Sequence, residues 1–292
     1  MRANPADYEL VAPGTLQGVV ALLASEPETW LPVAGGTDVM VLYAAGKLLS
    51  HKLVSIWGLP ELQSIEVTPT EIRIGACCTY STIRAHRNIS DEFPLLVRSA
   101  AWTGGIANQN RGTLGGNIAN ASPAGDSLPV LLVYDAELVL ISERGERRIP
   151  YHNFHTGYKK SLLAPDELIR TICIPRNLKG YFSYARKVGA RNAQAISKVF
   201  LAALGRLSNG KIADVRLAAG SVAPVPIRLA QTESILRDQP VTTSVLETCR
   251  KSLVEEIQPI DDIRSTAKYR TAVLSNLVSD FLRGLAGERI SA

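Results

Sequence analysis

Apolar positions along the first half of the chain follow helical spacing at some places and strand spacing at others. Leu16, Val19, Val20 and Leu23 recur at i, i+3, i+4 and i+7, which predicts an amphipathic helix that begins near Thr15. Residues 81–102 repeat this helical pattern, and residues 127–134 start a helix with Asp126 or Ser127 as N-cap and Pro129 in the first turn. Short apolar or alternating runs predict strands over residues 30–33, 53–57, 71–76, 137–141, 147–150 and 168–174.

The second half of the chain reads as a separate unit. Proline, asparagine and glycine cluster over residues 175–180, which indicates a boundary. Asn209-Gly210 separates two apolar runs and predicts a two-residue hairpin. Pro224 and Pro226 are expected to end that sheet, and helical patterns follow over residues 227–238, 243–257 and 266–285. We therefore predict an α+β protein with one domain over residues 1–177, in subdomains of about 1–57 and 58–177, and a second over residues 178–292.

Two glycine-rich segments interrupt the apolar pattern, and both carry polar side chains. The first glycine loop, residues 34–38, reads Ala-Gly-Gly-Thr-Asp and lies between two apolar runs. The second glycine loop, residues 113–126, holds a Gly-Gly pair, amides, hydroxyls and a carboxylate within a polar stretch, residues 104–125, that we expect to be an extended loop. Glycines let backbone N–H groups converge on an anion, because no Cβ blocks the approach. The pair of loops predicts a dinucleotide cradle, and the alternative for the first loop alone is a plain turn between a strand and a helix.

Composition excludes several classes of protein. The formal net charge is +5, but 32 basic residues are scattered among 27 acidic ones, so no basic stripe for nucleic acid is present. The sequence shows no apolar run of the ~18 residues that a membrane helix requires. Four cysteines lack metal-ligand spacing and follow no secretory signal, so we expect reduced, buried thiols in a cytoplasmic protein; they are Cys77, Cys78, Cys173 and Cys249. The four histidines are not spaced as a metal set either, and a structural role is the expectation for His155.

Several blocks of sequence resemble one family in order and in spacing. They are residues 33–40, 112–132, 154–160, 163–169, 186–191 and 193–198. In these blocks the chain resembles the FAD-binding (medium) subunit of molybdenum hydroxylases, the family of xanthine dehydrogenases and carbon monoxide dehydrogenases. The resemblance implies an FAD-binding domain of two α/β subdomains, of the vanillyl-alcohol-oxidase/PCMH type, followed by an antiparallel sheet with helices.

The resemblance also implies a role and partners. A molybdopterin-binding large subunit would hydroxylate the substrate, a small subunit would carry [2Fe-2S] clusters, and this chain would pass electrons through FAD to an external acceptor such as NAD+ or a quinone. The substrate of such an assembly would be determined on another chain. Two alternatives stay open: a stand-alone flavin-dependent oxidoreductase, which needs its own acid/base pair, and a non-catalytic scaffold without cofactor.

The resemblance assigns a set of residues to FAD. N–H groups of Gly35, Gly36 and Thr37 would bind the pyrophosphate, and the Gly115-Gly116 pair would press its backbone against the cofactor. Asp126 would accept from flavin hydroxyls or else cap the following helix. Lys187 would lie near the isoalloxazine ring, with a solvated strand lysine as the alternative, and Ile169 would form an apolar wall or ordinary core. The full set is Pro32, Val33, Ala34, Gly35, Gly36, Thr37, Asp38, Val39, Gly112, Thr113, Gly116, Asn117, Ala119, Asn120, Gly125, Asp126, Ile169 and Lys187.

Overall fold

The structure, a computed structural model, describes residues 4–191 and 194–288. Ala193, which belongs to one of the blocks above, and the last four residues of the predicted second domain lie outside these ranges. The helices are α1 Leu16–Ser25, α2 Val39–Ala44, α3 Tyr80–Ala85, α4 Arg87–Glu92, α5 Pro94–Trp102, α6 Ile106–Gln109, α7 Leu114–Asn120, α8 Leu128–Val133, α9 Ala230–Leu236, α10 Thr243–Glu256 and α11 Ala267–Leu285. The strands are β1 Glu9–Val11, β2 Trp30–Val33, β3 Lys52–Ser55, β4 Ile65–Val67, β5 Glu71–Gly75, β6 Glu137–Ser142, β7 Gly145–Pro150, β8 His155–Gly157, β9 Lys160–Ser161, β10 Leu168–Pro175, β11 Phe182–Val188, β12 Val199–Ser208, β13 Lys211–Gly220 and β14 Ile227–Arg228.

The N-terminal part is a small parallel sheet with one helix on it. Its strands pair in the order β1-β3-β2, and α1 buries the predicted apolar face, including Val19 and Val20, against them. The Thr15 hydroxyl accepts a bond from the Gly18 N–H at 3.1 Å, which satisfies a donor of the first turn. Both the helix and its start at Thr15 are confirmed. The loop after β2 therefore lies at the carboxyl edge of a parallel sheet.

A five-stranded antiparallel sheet forms the middle of the molecule, in the order β4-β5-β10-β6-β7. Short helices cover one of its faces and bury a large apolar core. The predicted helical stretch over residues 81–102 is divided into α3, α4 and α5. Pro94 explains the second break, because proline disfavours helical geometry in the residue before it, and Phe93 has φ −126° and ψ 58°.

The C-terminal sheet is antiparallel and joins strands β11 to β14 in chain order. Asn209 and Gly210 have φ of 51° and 74°, the left-handed values that a type I′ hairpin needs, so the predicted turn is confirmed. One face packs on α9, α10 and α11, and the other contributes Phe200 and Leu204 to the core of the middle sheet. Pro224 and Pro226 do not end the sheet, since β14 follows them and pairs with β13.

The polar stretch over residues 104–125 is the main departure from the predicted elements. It is not an extended loop, because α6 and α7 form within it. Thr113 caps α7 and Ala121 ends it in left-handed geometry at φ 49°. Within the part of the chain that the structure describes, no helix is long and apolar enough to cross a membrane. All four cysteines are buried and unpaired.

Candidate cofactor site

The first glycine loop is in direct contact with Arg111, two residues before the second glycine loop. A Cβ on Gly35 would lie only 1.6 Å from the carbonyl oxygen of Arg111, so only glycine fits at this position. Arg111 Nε also donates to the Gly35 carbonyl at 3.3 Å. Gly36 has φ +77°, which again favours glycine. The backbone around Gly35 is thus packed directly against Arg111, which brings the first glycine loop next to the start of the second.

Arg111 was not among the residues singled out from the sequence. Its guanidinium lies over the indole ring of Trp57, with its central carbon 4.0 Å from the ring centroid. Such a contact is a cation–π interaction, and it fixes the arginine beside the loop that follows β3. The sequence offered only a weak signal, a basic residue directly before Gly112-Thr113. The structure therefore adds a positively charged side chain at the place where the two loops meet.

The Gly-Gly pair of the second loop has two different roles. A Cβ on Gly115 would lie within 3 Å of three atoms of Ala76, so this glycine is buried against the end of β5 and does not face the groove. That corrects the expectation that both glycines press on a cofactor. Gly116 is exposed, and a Cβ there would meet only the Thr113 hydroxyl, at 2.7 Å. The Thr113 hydroxyl accepts from the Gly116 N–H at 3.1 Å and caps α7.

One stripe of α7 faces outward with small or polar side chains. Gly116, Ala119 and Asn120 lie at i, i+3 and i+4, and all three are exposed or half-buried. Asn117 Oδ1 accepts from the Ser127 hydroxyl at 2.7 Å. A stripe of small residues that ends in an amide is a surface against which an extended, acceptor-rich ligand can lie.

The remaining predicted residues fall into two groups. Half-buried or exposed positions lie along the end of β2, the first loop and the start of α2; these are Pro32, Val33, Ala34, Thr37, Asp38 and Val39. The other group is buried; it consists of Gly112, Gly125 and Ile169. Asp38 occupies the cap position of α2 but makes no side-chain cap bond. Ile169 is 5% exposed in the core of the middle sheet.

A buried ion pair joins the second loop to the C-terminal sheet. Lys187 Nζ lies 2.6 Å from Asp126 Oδ2 and donates to the Trp102 carbonyl at 2.9 Å. The Ser197 hydroxyl donates to Asp126 Oδ1 at 2.5 Å. Burial raises the pKa of the Asp126 carboxyl, and the Lys187 ammonium opposes that shift.

This arrangement corrects two alternatives drawn from the sequence. The Asp126 side chain does not cap α8, because Ser127 takes the cap position and both carboxylate oxygens of Asp126 are already hydrogen-bonded. Lys187 is not a solvated strand lysine, since its side chain is only 11% exposed. The two charges instead stabilise each other inside the protein.

His155 belongs to a small buried aromatic group. Its Nε2 lies 3.1 Å from the Tyr151 hydroxyl, and its Nδ1 is buried without a hydrogen-bond partner in the described structure. Burial lowers the pKa of His155 to about 4, so the imidazole is neutral at pH 7. The described residues contain no group of three His, Cys, Asp or Glu side chains that could hold a metal ion. This environment indicates a structural histidine.

Comparison with known proteins agrees with this geometry. Residues 6–177 match the family described as FAD binding domain in molybdopterin dehydrogenase, and residues 184–285 match the CO dehydrogenase flavoprotein C-terminal domain. The xanthine dehydrogenase FAD-binding subunit of Escherichia coli O157:H7 is 32% identical over 265 residues, which cover 90% of either chain. The carbon monoxide dehydrogenase medium chain of Hydrogenophaga pseudoflava is 26% identical over 278 residues, 94% of this chain and 95% of that one.

The fold is shared with solved structures of the same group. One of them is carbon monoxide dehydrogenase from Hydrogenophaga pseudoflava, in a form that lacks the Mo-pyranopterin moiety. A chain of that structure matches with a TM-score of 0.89 and 25% sequence identity, and the match covers 93% of this chain and 94% of that chain. This chain therefore belongs to the family of FAD-binding subunits of xanthine and carbon monoxide dehydrogenase-type oxidoreductases. The predicted family, fold class and FAD cofactor are confirmed.

Proposed function

We propose that this chain is the electron-transfer subunit of a molybdenum hydroxylase and binds FAD in the groove between its two glycine loops. It would receive electrons from [2Fe-2S] clusters on a small partner subunit, fed by a molybdopterin-binding large subunit, and deliver them to an external acceptor such as NAD+. The supporting observation is the contact of Gly35 with the Arg111 carbonyl, which makes one site of two segments far apart in sequence. Names of relatives support the partners, since one is a medium chain and another a subunit of a dehydrogenase complex.

The residues present suit the charge and length of FAD. N–H groups of the first loop at the start of α2, with Gly36 at φ +77°, form an anion-binding turn for the pyrophosphate. The stripe formed by Gly116, Ala119 and Asn120 continues that surface. Bound FAD supplies electron-transfer chemistry that this chain's own side chains lack.

The buried Asp126–Lys187 pair would suit the flavin ring. The Lys187 ammonium provides a cation whose position is set by Asp126 and by the Trp102 carbonyl. A cation near the ring favours the negative charge that reduction brings. Asp126 has both carboxylate oxygens occupied, so it is no free general base, and this favours electron transfer over the stand-alone oxidoreductase.

The division of the chain and its compartment belong to the same proposal. We place the FAD-binding domain at residues 1–177 and the C-terminal flavoprotein domain at residues 178–292. Buried residues of β12 pack into the core of the middle sheet, so the C-terminal sheet would act as a fixed support for the groove. Four buried, unpaired thiols agree with the reducing cytoplasm.

The first test is Gly116→Val. The added side chain would enter the groove, and within 4 Å the site of its Cβ contacts only the Thr113 hydroxyl. We expect wild-type protein with about one flavin per chain, and a variant that is colourless with its C-terminal sheet intact by circular dichroism. Gly18→Val is the matched control. Gly18 is the third residue after the N-cap Thr15, as Gly116 is after Thr113, and its N–H donates to Thr15 Oγ1 at 3.1 Å. It belongs to α1, which is not part of the proposed cofactor site.

Three other results would contradict a part of this proposal. Flavin retained by Gly116→Val would mean that the second loop does not contact the cofactor. Substrate turnover by the isolated chain would favour the stand-alone oxidoreductase. Wild-type protein that binds no FAD would favour the scaffold.

A further inference from the structure

We infer that Lys159 is a positioning residue of the cofactor groove: it orients the Asn120 amide as a donor and adds positive charge beside the pyrophosphate. This inference rests on the proposed function. Lys159 lies in the turn between β8 and β9, and its Nζ donates to Asn120 Oδ1 at 2.5 Å and to the Asn120 carbonyl at 2.7 Å. It thus contacts the outward stripe of α7 from a segment 39 residues away.

The chemistry of an ammonium group determines which way the amide is turned. Lysine can only donate, so the Asn120 atom that it contacts is the acceptor Oδ1. The Nδ2 group keeps its two hydrogens, and no described residue accepts a hydrogen bond from it. Asn117 is held similarly, with Oδ1 bonded to Ser127. Both asparagines of α7 therefore retain their donors for a ligand rich in acceptor oxygens, such as a pyrophosphate.

The Lys159 charge is not neutralised nearby. Its hydrogen-bond partners are neutral oxygens of Asn120, and it forms no ion pair within 4.0 Å among the described residues. Burial lowers the pKa of Lys159, while the carboxylate of Asp38, at longer range, opposes that shift. Asp38 itself would repel a phosphate, so an unpaired cation beside it offsets this repulsion.

The backbone conformation of Lys159 belongs to the tight turn between β8 and β9. Its φ is +57°, and Gly157 pairs with Lys160 across the turn. Lys160, the next residue, is exposed like Lys159, but it lies in β9 and makes no hydrogen bond through its side chain within the described ranges. Only Lys159 of these two adjacent lysines contacts Asn120.

The test measures FAD affinity of the full chain by flavin fluorescence, with thermal unfolding of the apoprotein as a check of folding. Lys159→Met should weaken FAD binding by about tenfold or more, as expected for a lost charge-assisted hydrogen bond. Lys160→Met should change it less than about twofold. Lys159→Gln is a second variant that keeps a polar side chain and guards against misfolding.

A double-mutant cycle separates positioning from a general charge effect. If Lys159 acts through Asn120, the effects of Lys159→Met and Asn120→Ala should be clearly less than additive. Equal losses in Lys159→Met and Lys160→Met, wild-type affinity in Lys159→Met, or fully additive losses in the cycle would overturn the inference. Wild-type protein that fails to bind FAD would instead overturn the proposed function, so the two failures are distinguishable.

Discussion

The change Gly35→Ala adds one methyl group at the contact between the first glycine loop and Arg111, two residues before the second loop. That carbon would lie 1.6 Å from the Arg111 carbonyl oxygen and 2.5 Å from its carbonyl carbon. Ordinary contact needs about 3.5 Å, so the loops must separate by about 2 Å. Because backbone atoms of Arg111 form the obstacle, no side-chain rotation relieves it. The Arg111 Nε bond to the Gly35 carbonyl, already 3.3 Å long, would be lost as well.

The expected energetic cost is local. Overpacking of this kind destabilises by about 1–3 kcal/mol, which for a chain of this size lowers the unfolding midpoint by roughly 2–10 °C. The fold survives that loss, but a groove opened by about 2 Å cannot keep its N–H groups on a pyrophosphate, so FAD affinity should fall by at least about tenfold.

Gly58→Ala is the matched control for this prediction. Gly58 follows Trp57, has no positive φ, and a Cβ there would meet nothing within 4 Å. Flavin fluorescence titration and thermal unfolding of both variants give the two required numbers. Wild-type FAD affinity in Gly35→Ala would refute the reasoning, and an equal loss of affinity in Gly58→Ala would show that the contact with Arg111 is not the cause.

Two further predictions concern stability. The pKa of His155 is about 4 when folded, below about 6.5 for the unfolded chain, so the unfolded state binds the proton first. The stability that the neutral, buried His155 contributes is therefore complete above pH 6.5 and is lost as the pH falls towards 4. Urea unfolding should show that the free energy of unfolding decreases by on the order of 2 kcal/mol between these two pH values. A His155→Gln variant that loses as much stability over the same pH range would contradict this prediction. Arg228→Met would leave the Glu233 carboxylate, which is 3% exposed, without its main partner and should lower the free energy of unfolding by about 3–5 kcal/mol. Arg237 lies 3.7 Å from the same carboxylate but is half-exposed, so Arg237→Met should lower it by less than about 1 kcal/mol. Similar losses of stability in the two variants would contradict this prediction.

Local signals explain which parts of the fold were predictable from sequence. The helix that begins after Thr15 and the Asn209-Gly210 hairpin depend on spacing and on single residues within one turn, and both are confirmed. The stretch over residues 104–125 has little apolar periodicity, so α6 and α7 were not predicted. Helices this short are not stable by themselves, and α7 depends on its Thr113 cap and on the packing of Gly115 against Ala76.

The sequence suggested which residues compose the proposed site, but it did not show their contacts. Glycines and amides in two loops indicated a dinucleotide groove, yet nothing local shows that Gly35 lies against a residue 76 positions away. The same holds for Lys159, which contacts Asn120 from a separate hairpin. Asp126 was ambiguous for this reason, because capping is a local interaction, while the ion pair that it forms requires a strand 61 residues further on.

The buried Asp126–Lys187 pair gives the C-terminal sheet a defined part in the proposed site. Separating the sheet from the second glycine loop would leave two uncompensated charges, each costing several kcal/mol where water is excluded. Ser197, at the entrance to β12, adds a third attachment through its bond to Asp126. The position of the Lys187 ammonium is therefore fixed by the strand that carries it and by its bonds to Asp126 and to the Trp102 carbonyl. A cation held in this way needs little reorganisation when the charge beside it changes, which would suit the electron transfer that we propose for this chain.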